Sequence, residues 1–180
     1  MRLELDALRE HGRAHPERAP IVTRMLELLE APRDVFARSH LDPGHFTASA
    51  FVLCPEGRRL LMVHHTKLGR WLQPGGHIEP SDISLHAAAE REAKEETGVS
   101  ALEPLGTSIF DVDIHLIPPS TREGAHSHFD VRYAFRARTG RLVAAAEVQA
   151  ARWVELDEVR ELNPEESVIR CVERLRFRHG

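Results

Sequence analysis

No excess of basic charge runs through this 180-residue chain: 24 Lys and Arg stand against 28 Asp and Glu, for a formal net charge of -4. A long nucleic acid needs a basic stripe to replace the counterions on its phosphates, so no DNA or RNA partner of that kind is expected. The longest basic run is the C-terminal RLRFRHG, which reads as a solvated helix end. Only two cysteines occur, Cys54 and Cys171, far apart and matching no metal-ligand spacing, so a cytoplasmic protein with reduced thiols is expected. No apolar run approaches transmembrane length, and the N-terminal MRLELDALREHGRAHPERAP is charged throughout, which predicts neither a membrane span nor a signal peptide. What is present is a globular composition, 42% hydrophobic and 29% charged, enough for one domain with a sizeable core and an extra helical piece.

Residues 1–40 read as polar and helical. IVTRMLELLEAP places Ile21, Met25, Leu28 and Leu29 on one face, and Pro32 helps to end the helix. This segment is expected to be an N-terminal extension of a domain spanning 41–180, capping it or supporting a homodimer. From HFTASAFVL (45–53) the pattern turns strand-like; CPEGRR makes a turn and LLMVHH (60–65) returns. A loop dense in Gly and Pro leads to a helix from about Ser84 to Thr97, with Leu85, Ala88, Ala89 and Ala93 as its apolar face and Ser81, Asp82 or Ser84 as its N-cap. SIFDVDIHLIP, HFDVRYAFRAR and QAARWVEL are further strands, and SVIRCVERLRF is a closing amphipathic helix. Strands on either side of a central helix, with helices at both ends, predict an α/β layered domain.

The central helix carries an unfavourable set of charges. Glu92, Glu95 and Glu96 share one side at i, i+3 and i+4, where each like-charged pair costs about 0.2–0.5 kcal/mol. They also sit at the negative end of the helix dipole, just before the C-cap glycine Gly98. A bound cation reverses the sign of both effects.

The whole stretch GGHIEPSDISLHAAAEREAKEETGV, Gly75 to Val99, resembles the signature of the Nudix hydrolases, a MutT-like family. Arg91, Glu92, Ala93, Glu95, Glu96, Gly98 and Val99 match its second half, and Gly76 its leading glycine. Two departures stand out: Asp82 replaces the early glutamate, and eight residues rather than seven separate it from Arg91. The resemblance extends more loosely over 45–160. It implies a Nudix-type α/β/α sandwich with a mixed central sheet, and hydrolysis of a diphosphate linkage in a small molecule, such as a nucleoside diphosphate derivative. It implies Mg²⁺ or Mn²⁺ held by Glu92, Glu95, Glu96 and the Gly76 carbonyl, with Arg91 pairing with Glu95 or Asp82 to hold the carboxylates. Such an ion neutralises charge on the phosphate oxygens and activates water. Glu95 is the first candidate for the general base.

Other residues are candidates for substrate binding: Arg70 for a phosphate, Trp71 as core or as a pocket wall, and His77 beside the metal loop. Asp111, Asp113 and His115, then His126, His128 and Asp130, follow strict period two, and as an antiparallel hairpin they would bring His115 near His126 or His128. That face reads as a polar surface partly open to water, as the floor of a substrate pocket, or as a transition-metal site. Two alternatives to a hydrolase stand beside this reading. One is a non-catalytic nucleotide-binding module, which the three intact glutamates oppose. The other is an enzyme similar to isopentenyl diphosphate isomerase, for which Cys54 lies outside any matching pattern.

Overall fold

A computed structural model of the protein describes residues 2–66, 69–121, 123–143 and 148–177. Lys67 and Leu68 of the predicted loop, Arg122 between the predicted hairpin strands and the last three residues of the basic C-terminal run lie outside these.

The N-terminal segment is helical as expected: α1 (Arg2–Ala14), a short 3-10 turn (Pro16–Arg18) and α2 (Ala19–Leu29). A proline opens the second helix near its first turn, where a missing N–H costs no helical hydrogen bond. Its buried face is Val22, Met25, Leu28 and Leu29. Val22 joins Met25, Leu28 and Leu29 on the buried face, and the predicted Ile21 stands half-buried at its margin.

The strands follow: β1 (Gly44–Leu53), β2 (Arg59–His65), β3 (Arg70–Leu72) and β4 (Gly75–His77) precede helix α3 (Leu85–Thr97). After it come β5 (Leu102–Pro104), β6 (Asp111–Ile117), β7 (His126–Ala137) and β8 (Val148–Glu155), then α4 (Val159–Leu162) and α5 (Glu166–Phe177). The class is α/β, with a mixed sheet of order β3-β2-β1-β7-β5, to which β4 adds on β1, β6 on β7 and β8 on β2. Strands β3 and β4 fall inside the stretch read as loop. Three residues are too few for an alternation to register among glycines and prolines.

The residues group into two compact units. The first comprises Met1–Ala48, Gly76–Ala88 and Thr107–Tyr133, the second Ser49–Gly75, Ala89–Gly106 and Ala134–Gly180. In the first, β6 and β7 form the expected antiparallel hairpin, in register from Asp111↔Arg132 to Ile117↔His126, with His115 opposite His128. The His11 Nδ1 atom lies 3.1 Å from the Ile109 carbonyl oxygen and so ties α1 to the chain entering β6. Gly44 fixes how β1 begins: its φ is +146°, and a Cβ there would stand 1.8 Å from the Ser127 carbonyl oxygen. Only glycine lets the backbones approach so closely, and that approach sets His45 beside the His126–His128 segment.

In the second unit β2 pairs antiparallel with both β3 and β8, and the end of β7 pairs with β5. Helix α5 buries Val168, Ile169, Cys171, Val172 and Leu175. Cys54 and Cys171 are both buried and not joined by a disulfide, and Cys54 Sγ accepts the Arg59 N–H at 3.3 Å, which closes the turn between β1 and β2.

Candidate functional site

Helix α3 is capped by Ser84, whose Oγ accepts the Ala87 N–H at 3.1 Å and so settles the choice of N-cap. Asp82 instead accepts the Glu79 N–H at 2.8 Å and closes its own turn, which takes up the extra residue ahead of the helix. Leu85, Ala88, Ala89 and Ala93 are all buried, as the periodicity predicts. At the other end Gly98 has φ +65° and donates its N–H to the Lys94 carbonyl at 2.9 Å. A Cβ there would meet Val143 at 2.8 Å, so glycine is required by conformation and by space together.

The glutamates on the last turns of α3 belong to the second unit. Arg91 Nη1 donates to Glu92 Oε1 at 3.0 Å and to Glu95 Oε2 at 2.9 Å, realising the Glu95 partner among the two expected. Arg91 and Glu92 are mostly covered, with side chains 18% and 15% exposed, whereas Glu95 is 58% exposed. Glu96 Oε2 accepts the Gly75 N–H at 3.2 Å, tying the helix to strand β4. Gly76 and His77 continue that strand within the first unit. On the solvated side Lys94 pairs with Glu90 at 2.6 Å, again as the i, i+4 order predicts.

The donor set on α3 is all oxygen and all anionic, which suits a hard divalent ion of the Mg²⁺ or Mn²⁺ type. A cation there offsets both the mutual repulsion and the dipole at the helix end, while Arg91 already offsets part of the first.

Arg70 and Trp71 stand on β3, also in the second unit. Arg70 forms an ion pair with Glu165. The Trp71 carbonyl accepts the Asn163 Nδ2–H at 2.9 Å, and Asn163 Oδ1 accepts the Glu165 N–H, so the loop before α5 straps this strand. The indole is partly covered: the Arg152 guanidinium lies 4.4 Å from its centroid and the His64 ring meets it edge-on at 5.3 Å. Arg152 was not singled out from the sequence. It lies in the ARWVEL strand, on the residue that pairs with Met62, and only that register brings it to Trp71.

In the first unit the period-two polar face is covered at Asp111, Asp130 and His126 and stays partly open to water at Asp113 and His115, whose side chains are 15% and 41% exposed. Asp111, Asp130, Arg132 and His126 are at most 3% exposed. The physical reason is Arg132, which reaches Asp130 at 2.9 Å, Asp113 at 3.2 Å and Asp111 at 3.5 Å and so allows three carboxylates to be covered. Thr47 Oγ1 donates to Asp130 at 3.2 Å. Arg132 lies one further step along the same alternation, and that step was the signal.

Beyond the aspartates this face becomes a histidine cluster. The His45 ring lies 5.1 Å from His77, 4.9 Å from His128 and 5.1 Å from His126, and the His128 ring is 5.5 Å from His115. His115 Nδ1 is 3.3 Å from Asp113 Oδ2. Burial, helped by neighbouring imidazoles, pushes His77 down to about 4 and His128 down to about 2. Burial lowers His45 as well, against the hydrogen bond to the His40 carbonyl, which favours the charged form. Four of the predicted residues therefore assemble, His77, His126 and His128 around one further ring and His115 against His128. That central ring, His45, was missed because it stands as a lone histidine at the start of its strand.

The family model described as the NUDIX domain matches residues 44–173. No curated protein matches significantly. Among solved structures, a NUDIX-family hydrolase from Clostridium perfringens is 23% identical, with 75% of this chain and 98% of that one covered at a TM-score of 0.51. The Ap4A hydrolase of C. elegans is 14% identical over 75% and 98%, with a TM-score of 0.53. The dihydroneopterin triphosphate pyrophosphohydrolase of E. coli is 16% identical over 72% and 92%, also at 0.53. At these identities the likeness is one of fold.

Proposed function

The chain belongs to the NUDIX family, as a pyrophosphohydrolase acting on acid anhydrides, and on that premise we propose that it splits a nucleoside diphosphate derivative into a nucleoside monophosphate and a phosphoryl product. Glu92 and Glu96, one helical turn apart, hold the divalent ion; Glu95 holds a second ion or the attacking water and takes its proton. The observation that carries this reading is the bracing of the three carboxylates: Arg91 bridges Glu92 and Glu95, and the Gly75 amide fixes Glu96. Arg91 acts as a positioning residue, keeping two carboxylates in place against their repulsion. Bound Mg²⁺ or Mn²⁺ supplies charge neutralisation on the diphosphate oxygens and a more acidic water. Trp71, with Arg152 over one face, offers a flat surface suited to a base, and the exposed Arg70 lies next to it in sequence. Residues 1–40 serve as a helical extension to the hydrolase domain 41–180 and as a homodimer element, in a cytoplasmic enzyme. No helix among the described residues is long and apolar enough to cross a membrane.

The test is a screen of phosphoanhydrides with Mg²⁺ and Mn²⁺, identifying both products. Dinucleoside polyphosphates and pterin triphosphates, the compounds in the names of two fold relatives, come first, followed by nucleotide sugars, nucleoside triphosphates and capped RNA. Glu96→Gln is expected to lower kcat/KM on every responsive substrate by roughly 10³-fold, the loss of several kcal/mol of charge stabilisation. Undiminished turnover in that variant overturns the site, and no turnover of any anhydride by the unaltered protein overturns the reaction. Light scattering that finds only monomer at assay concentration removes the dimer.

A further inference from the structure

The geometry points to a metal site of different chemistry within the first unit, in which His45, His77 and His128 hold a borderline first-row ion of the Zn²⁺ class through three imidazole nitrogens. One nitrogen from each ring already lies within 4.8 Å of those of the other two. Nitrogens sharing one Zn²⁺ at about 2.0–2.1 Å stand roughly 3.3 Å apart, so each ring needs to move by about 1 Å. Among the described residues this is the group of His, Cys, Asp or Glu side chains whose ligand atoms converge in this way.

Two further observations select a metal over a plain cluster of rings. The Nε2 atoms of His45 and His128 are buried and have no hydrogen-bond partner among the described residues, an arrangement that folded proteins generally avoid. His45 is fully buried, and its Nδ1 is 3.0 Å from the His40 carbonyl oxygen. A carbonyl only accepts, so Nδ1 carries the hydrogen and Nε2 presents its lone pair. Fixing a ring through its far N–H on a backbone carbonyl is the habit of metal-bound histidines. Gly44 holds this geometry, since its approach to the Ser127 backbone fixes His45 beside His128.

Imidazole nitrogen discriminates against Mg²⁺ and favours Zn²⁺ and its neighbours, so the ion here differs from the one proposed for the glutamates. Three protein nitrogens leave a fourth position for water or an anionic oxygen, which is the ligand count of catalytic rather than structural zinc sites. The inference does not depend on the proposed hydrolysis, and its test reads no turnover.

The probe is Co²⁺, titrated by its visible absorption into the full chain in excess Mg²⁺ after chelator treatment. X-ray absorption of the loaded protein then reads its ligands. We expect one equivalent that Mg²⁺ does not displace, with imidazole scattering around the ion. His128→Gln is expected to weaken Co²⁺ by more than the roughly 10–100-fold that loss of an outer hydrogen-bond partner costs, and Glu96→Gln to leave it unchanged. Displacement by Mg²⁺, or an oxygen-only shell in the unaltered protein, overturns the site without recourse to any variant. So does Co²⁺ binding that survives in His128→Gln and fails in Glu96→Gln.

Discussion

The end of helix α3 and the histidine face of the first unit each gather three metal-type donors, and they hold them in opposite ways. On the helix the donors are carboxylates on flexible stems, one of them 58% exposed, kept in place by Arg91 and a backbone amide. On the histidine face they are imidazoles whose ligand atoms already converge, on rings pushed toward the neutral form by burial. The first arrangement stays open and charged, as suits a hard ion that keeps much of its water and meets a polyanionic substrate. The second is largely covered and already converging, as suits an ion that prefers nitrogen. Local chemistry, beyond the number of ligands, distinguishes the two.

An arginine between carboxylates occurs in both regions, which gives the sharpest way to break the comparison. Arg132 is 2% exposed and faces three aspartates; Arg91 is 18% exposed and bridges two glutamates. Arg132→Met leaves buried carboxylates without that guanidinium, and a loss of about 3–5 kcal/mol in urea unfolding is expected. A loss below about 1 kcal/mol means that the hairpin does not depend on this charge balance, and the contrast between a rigid and a yielding region fails.

Next in size is the effect of the ions on folding. Zn²⁺ at 100 times its dissociation constant stabilises the native state by about 2.7 kcal/mol through mass action. The unfolding midpoint is expected to rise with Zn²⁺, to return on adding a chelator, and to respond far less to Mg²⁺ at the same concentration. Equal responses to the two ions would erase the distinction between the sites.

Arg91→Met should behave unlike its buried counterpart. Its stability cost is expected to be well below that of Arg132→Met, since it faces two carboxylates rather than three and solvent screens its pair with the 58% exposed Glu95. Turnover should instead fall about 10–100-fold, with a higher Mg²⁺ concentration needed for half activity and partial rescue in Arg91→Lys. A stability loss matching that of Arg132→Met, with no change in the Mg²⁺ requirement, would make Arg91 a structural residue only.

Legibility in the sequence divides along the same line. The α3 region was readable because its signals are local: Ser84, Arg91, the glutamates and Gly98 lie within one helix and its caps, where spacing alone implies proximity. The β6–β7 register was readable for a related reason, since period two on both sides of a short connection fixes which residues face each other, and His115 does oppose His128. His45 was not readable. Its neighbours come from two other strands, and a lone histidine ahead of an apolar run carries no period of its own. Arg152 on Trp71 was hidden in the same way by the pairing of β2 with β8. Short strands β3 and β4 escaped because Gly and Pro dominate their surroundings. The family signature located the carboxylates, whereas the imidazoles needed the tertiary structure.

The smallest expected effect marks the edge of the carboxylate region. Lys94 and Glu90 pair at 2.6 Å on the same helix, with side chains 41% and 31% exposed, and face away from the Arg91 network. An i, i+4 pair of this kind contributes about 0.3–0.5 kcal/mol at low salt, because water and mobile ions screen it and two long side chains must be ordered to form it. Lys94→Ala is therefore expected to shift the unfolding free energy by that amount, to lose even this shift at 1 M salt, where the screening length is about 3 Å, and to leave kcat/KM and the Mg²⁺ requirement unchanged. Steady-state kinetics beside urea unfolding at two salt concentrations reads all of this. A tenfold change in the Mg²⁺ requirement would show that the field of Lys94 reaches the glutamates, and the functional face of α3 would then have to be redrawn to include it.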